Sequence, residues 1–291
     1  MRIGDFSMGT IPKNIKLAFK PIGTDAITRT RIKQFWSENG ESNTQRLTDA
    51  AQKVIYDAWE AGSVEEMIQL AKKALTLSPF CMDAYNILAE YDSNTHAKAI
   101  AKYELSIYAG KILLASELEN DKGFFWGLLE TRPYMRSLEG LANEYRHTGR
   151  LEEAIAIYEN MLLLNPNDNQ GIRYSLVSNL IATKKITEAQ HLLKQYDELS
   201  AFWIYSHVLL AYITNDKKKA SVAKQALKIN SFIPKLLKYY ADNIQSILHL
   251  DPIESEFYTI GSKEEAEIYS KENFTVWYTN SGAIEWLVGM R

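Results

Sequence analysis

One stretch of this sequence occurs twice. Residues 62–79, GSVEEMIQLAKKALTLSP, and residues 149–166, GRLEEAIAIYENMLLLNP, share a leading Gly, a Glu-Glu pair three residues on and a closing Leu-x-Pro at equal offsets. A recurring segment of this kind restricts a chain to architectures made by stacking like units. In both copies the apolar residues fall at helical spacing, and the proline ends the helix it follows. Upstream of each copy lies a second amphipathic stretch of about 13 residues. The unit is therefore helix–turn–helix, about 34 residues long. One such pair cannot bury its apolar face alone, so several must stack.

These residues resemble the tetratricopeptide repeat. That family's pattern has a bulky residue at position 4, Leu at 7, a small residue at 8, a large one at 11, Ala at 20, an aromatic at 24, Ala at 27 and Pro at 32. Positions 8 and 20 lie where the two helices cross closely and must be small, while 4, 7, 11 and 24 fill the layer between them. Residues 135–168 fit best, with Leu138, Leu141, Ala142, Tyr145, Ala154, Tyr158, Met161 and Pro166 in order. The unit at 48–81 offers Ala51, Val54, Ile55, Ala58, Met67, Ala71, Ala74 and Pro79. The unit at 82–115 has Tyr85, Leu88 and Ala89, then a second helix over about 96–114. The unit at 170–199 has Leu176, Val177, Leu180, Ala189, Leu193 and Tyr196, and that at 200–233 has Trp203, His207, Leu210, Ala223 and Ala226. The resemblance implies an all-α fold, a right-handed α-solenoid of about five units with a helical cap at its C-terminal end.

Three regions fall outside the repeats. Residues 1–47 carry eight Lys and Arg against four Asp and Glu, while the whole chain has a net charge of −3. This basic N-terminal segment reads as extended or flexible over 1–24, with a short helix over 27–36. Residues 116–134 form an insert containing Phe124, Phe125 and Trp126, which cannot all face one side of a helix. They either pack on a neighbouring unit or line a pocket with Arg132 and Tyr134. Residues 234–291 read as the cap: a helix over 235–250, a short one from the capping-box spacing Ser262–Glu265 to about 269, and a last one over 281–288.

The motifs GFFWGLLETRPYMR (123–136), NPNDNQGIRY (165–174), GSKEEAEIYS (261–270) and WYTNSGAIEWL (277–287) resemble a bacterial tetratricopeptide group related to the animal suppression-of-tumorigenicity family. That resemblance covers residues 45–287 and implies an interaction role without catalytic residues.

The residues themselves supply no chemistry to oppose this. No two of the five histidines stand at i,i+3 or i,i+4, and no phosphate-binding glycine motif occurs. We therefore expect no metal, no cofactor and no catalytic residue. The acidic balance argues against a general nucleic-acid partner. The one cysteine, Cys81, argues against a disulfide framework. No apolar run is long enough to span a bilayer, and the N-terminal stretch does not read as a secretory signal. A cytoplasmic setting is expected. The alternative is export, on the glutamates 264, 265, 267 and 272.

In solenoids of this family, positions 2, 5, 9 and 12 of each first helix face a concave surface. The resemblance thus nominates Tyr56 and Trp59, then Arg136, Asn143, Arg146, Tyr174 and Ser178, as a groove for a protein or peptide partner. The family's two-carboxylate clamp for EEVD tails is not matched, since Gln52, Tyr56 and Ile87 stand where Lys and Asn would be. Arginines beside tyrosines suit an extended peptide with an acidic group; alternatively, Arg132 and Arg173 hold the insert in place. Two other roles remain open: an oligomerising subunit, and an enzyme or small-molecule binder with a pocket at Trp126, Arg132 and Tyr134.

Overall fold

The computed structural model describes residues 25–244 and 258–290, which form α-helices and one short 3-10 turn with no strand. The stretch expected to be extended over residues 1–24, and the end of the helix expected to close at residue 250, lie outside the described residues. None of the described helices is long and apolar enough to cross a membrane. The chain divides into two compact units, residues 1–113 and 114–291.

The first unit holds α1 (Asp25–Trp59), α2 (Val64–Leu77), α3 (Met82–Tyr91) and α4 (His96–Leu113), each packed on the next. Helix α1 is broken at Gly40, whose φ of 68° and ψ of 178° no β-substituted residue adopts without strain. The short helix expected over 27–36 is therefore longer and runs into this break. The first helix of the repeat then begins well ahead of residue 48. The cause is burial. Ile32 is fully buried in a cluster with Phe80, Tyr85, Leu105 and Ala109, and Phe35 and Trp36 pack on the same cluster. A second cluster holds the repeat together through Ala51, Ile55, Ala58, Ala71, Ala74, Cys81, Ala84, Ile87 and Leu88. Ser63 caps α2 by accepting from the Glu66 N–H at 3.2 Å, while Glu66 accepts from the Gly62 N–H at 3.2 Å.

The second unit begins with α5 (Ala115–Asn120). It continues through α6 (Arg132–His147), α7 (Leu151–Leu164), α8 (Ile172–Ala182), α9 (Ile186–Leu193), α10 (Ala201–Ile213) and α11 (Lys219–Ile229). The order α6·α7, α7·α8, α8·α9 and α10·α11 is that of stacked helix pairs. Leu138, Leu141, Ala142, Tyr145, Ala154, Tyr158 and Met161 are all buried, as their repeat positions require. The turn inside each pair reuses one backbone shape. Gly149, Lys184 and Asn215 all take positive φ (75°, 62° and 52°). The next N–H in each case reaches back to a carbonyl five residues earlier, as in Arg150 to Tyr145 at 2.8 Å and Lys185 to Leu180 at 2.8 Å. Only the first of the three turns spells this with a glycine.

The insert is tied to the end of α7, since the Gly123 and Phe125 N–H groups donate to the Leu164 carbonyl at 3.0 and 3.1 Å. Phe125 is fully buried and Phe124 is 73% exposed.

At the C-terminal end stand α12 (Ile233–Asp242), α13 (Lys263–Tyr278) and α14 (Ala283–Val288). The helix expected to stop near residue 269 continues to Tyr278. Ala266, Tyr269, Ser270, Asn273, Phe274 and Trp277 are buried at three- and four-residue spacing, a helical stripe that the aromatic run 273–278 had obscured. Helix α13 packs on α12 and also lies against α8 and α10.

Candidate functional site

In the first unit α1 and α3 are joined by short polar contacts around the buried Asp83. Gln52 Nε2 donates to Asp83 Oδ2 at 2.9 Å and Asn86 Nδ2 donates to Asp83 Oδ1 at 3.1 Å, joining the two helices. One helical turn beyond Gln52, Tyr56 and Trp59 stand 54% and 48% exposed with ring centroids 5.6 Å apart. Asp49, Glu60 and Glu90 are exposed in the same unit, and α3 carries no Lys or Arg. Cys81 is buried, which pushes its thiol up to about 12 and leaves it unreactive at neutral pH.

In the second unit the nominated residues divide. Arg146 and Ser178 line one cavity of about 770 Å³. Asn143 is turned to its own helix pair, accepting from the Tyr158 hydroxyl at 2.7 Å. Tyr174 belongs to a closed network. Its hydroxyl donates to Glu198 at 3.0 Å and accepts from Arg173, its ring packs on Phe202 and Trp203, and Arg173 also pairs with Asp168 at 2.7 Å. Asp168 in turn caps α8, accepting from the Ile172 and Arg173 N–H groups. Arg173 joins Asp168 at the start of α8 to Glu198, with no hydrogen bond or ion pair to the insert among the described residues, and Tyr174 belongs to the same network and is not a clean groove probe.

Of the insert residues, Tyr134 is 2% exposed with its ring edge-on to Phe125. Arg132 donates to the Trp126 carbonyl at 3.0 Å and lies over that indole at 5.3 Å. The structure brings these three together as packing around the insert.

The cavity lies between α6, α8 and α13. Arg146, His147, Ser178, Asn179, Lys271 and Glu272 give it polar walls, and Leu151, Ala182, Ile268 and Val276 apolar ones. Asn179, Lys271 and Glu272 were not among the nominated residues, because nothing in a single repeat says that α13 returns to this face. Glu272 is exposed at the rim of this wall; crowding of its carboxyl by the protein holds it above the usual carboxylate range, and Arg146 pulls it back. Farther along α6, Glu139 accepts from Gln170 Nε2 at 2.6 Å. Burial raises Glu139 as well; Gln170 and Arg136 oppose that shift, and Asp168 adds to it. Among the described residues no group of His, Cys, Asp and Glu is placed to hold a metal ion.

Stacked helix pairs with small residues at the crossings and a repeated left-handed turn are thus in place from α6 to α11. Residues 145–203 match the family model of the tetratricopeptide repeat. No curated protein is significantly similar to the chain. Tetratricopeptide repeats in general mediate contacts between proteins and are typically non-enzymatic.

The raised carboxyl in the repeat's first helix gives a signed prediction. A carboxyl raised on folding contributes stability below its unfolded pKa, and that contribution is lost as pH rises through the folded value. Glu139→Gln, which still accepts from Gln170, is expected to raise the melting temperature at pH 7.5 and to change it little at pH 4. Thermal scans of both proteins at the two pH values check this. An equal effect at both would show that Glu139 acts through packing.

Proposed function

We propose that the chain is a protein-binding repeat scaffold whose first unit docks a basic, extended segment of a partner on the α1–α3 face. The observation that carries this reading is the exposed Tyr56–Trp59 pair, near which the exposed carboxylates Asp49, Glu60 and Glu90 outnumber the exposed Lys53. Paired exposed aromatics are what interfaces use as anchors, and a lysine or arginine approaching them gains both cation–π and carboxylate contacts. Partners ending in EEVD are not expected, because Gln52, Tyr56 and the buried Ile87 replace the clamp. In the second unit the reading keeps Arg146 and Ser178 as accessible polar positions, and Tyr174 drops out. The narrower likeness to the bacterial group, and a cytoplasmic setting, belong to the same proposal and rest on the sequence motifs and on Cys81 alone.

The test is capture of partners by the wild-type chain and by Tyr56→Ala/Trp59→Ala, read by mass spectrometry. Both side chains are exposed, so the double variant should melt within about 2 °C of wild type. Proteins with basic segments, captured by wild type and lost by the variant, are the expected result. Identical capture by both would overturn the assignment of this face.

A further inference from the structure

Six buried side-chain polar atoms lack a hydrogen-bond partner among the described residues. Four of them, Arg146 Nε, Gln170 Oε1, Asn179 Nδ2 and Ser270 Oγ, belong to α6, α8, α13 or the turn into α8. Native proteins rarely leave such atoms unpaired, and each calls for a partner, an ordered water, an ion or a ligand. Arg146 and Asn179 line the cavity itself, and Asn179 is 4% exposed. Their orphaned atoms are both donors. An acceptor is therefore what is missing, and an arginine beside an amide suits a carboxylate.

The wall formed by α13 carries both signs, Lys271 beside Glu272, and it is Glu272 that can take a cation. Glu272 on α13 feels the charge of Arg146, yet the two make no ion pair within 4.0 Å. A pair of opposite charges held apart across a cavity is complementary to a molecule that carries both signs. Leu151, Ile268 and Val276 add a hydrocarbon surface. The volume of about 770 Å³ lies in the range of small-ligand sites and has room for more than one residue. An inorganic anion would be met by Arg146 and Lys271 but would leave Glu272 and the apolar wall unused. A simple amine would leave Arg146 and Asn179 without acceptors.

We propose that this cavity binds a small zwitterion, a free apolar amino acid or a short apolar peptide with both ends uncapped. The carboxylate lies on Arg146 and Asn179, the ammonium on Glu272, and the side chain on Leu151, Ile268 and Val276. The site lies within the second unit and does not depend on the Tyr56–Trp59 face.

The test is thermal melting of the full chain with millimolar probes. The probes are the twenty L-amino acids, and di- and tripeptides of leucine and of alanine with free ends. The same peptides blocked at either end, isoamylamine and inorganic phosphate serve as comparisons. At least one apolar free-ended probe should raise the melting temperature by about 2 °C or more, and blocking either end should remove the shift. Whether leucine or its tripeptide gives the larger rise tells the two sources apart. Arg146→Met should abolish the shift while leaving the unliganded melting temperature unchanged or higher, because an unpaired buried donor is gone. Glu272→Gln should weaken binding roughly tenfold or more by titration calorimetry. Overturning results are no shift with any free-ended probe, an equal shift with phosphate or blocked peptides, or a full shift retained in Arg146→Met.

Discussion

Replacing Glu265 with alanine should loosen the C-terminal helices from the rest of the second unit and lower stability by about 3–5 kcal/mol, from three donors left unpaired. The carboxylate is fully buried. One oxygen accepts from the Ala201 N–H at 2.8 Å, at the start of α10. The other accepts from the Gly261 N–H at 2.7 Å and from Asn230 Nδ2 at 3.0 Å. Three donors from three segments thus converge on one side chain. Alanine leaves those donors buried without partners, each at a cost of about 1–3 kcal/mol, and water can compensate only if α13 moves away. For a unit of this size the melting temperature should fall by roughly 10 °C. Proteolysis should then cut first within residues 258–290. Glu265→Gln keeps one acceptor but turns an N–H₂ towards a donor, so its loss should fall between wild type and alanine. A melting temperature for Glu265→Ala within about 2 °C of wild type would show that α13 is held by its apolar stripe alone.

Glu265 also marks where sequence reasoning succeeds and where it stops. Ser262–Glu265 has capping-box spacing, and Ser262 does accept from the Glu265 N–H at 3.1 Å. The same reading cannot see that the Glu265 carboxylate reaches across to Ala201 and Asn230, because those contacts join residues 64 and 35 positions apart. The repeat itself is legible because position-specific size rules act locally: small residues at the crossing, large ones in the layer, a proline at the exit. The turns at Lys184 and Asn215 repeat the Gly149 backbone without its glycine, so their periodicity is in the structure and faint in the letters. Residues 27–36 read as only a short helix because their apolar positions are few. Ile32, Phe35 and Trp36 suffice once Phe80 and Leu105 are beside them.

The candidate site was half legible for the same reason. Arg146 and Ser178 follow from helix geometry within one repeat. Asn179 is adjacent to a nominated position, but its orphaned Nδ2 is a property of packing. Tyr174 was nominated for the face it occupies and is taken up by Glu198, which is 24 residues away. Glu272 had stood out only as one of a run of glutamates. Its role depends on α13 crossing in front of α8, a tertiary fact with no local signature.

Ala154→Trp should unfold the helix pair α6–α7 and with it most of the second unit. Ala154 stands in α7 at the repeat position that the family pattern reserves for a small residue at the helix crossing, and it is fully buried. Leu138, Leu141, Ala142 and Tyr158 of the same helix pair are each at most 1% exposed, so the pair has no open core space for an indole. Overpacking by a few methylenes typically costs 1–3 kcal/mol, and a full indole at a helix crossing exceeds about 3 kcal/mol. In a stacked array the loss spreads, since α7 also packs on α8 and each interface stabilises the next. Ala154→Gly is the companion variant: it removes a methyl and adds backbone freedom at a cost of about 1 kcal/mol while keeping the crossing open. Circular dichroism should show a large helical loss for tryptophan and little for glycine. Native helicity and melting in Ala154→Trp would mean that α6 and α7 do not cross at Ala154, and the register on which Arg146 and Ser178 were assigned to one face would fall with it.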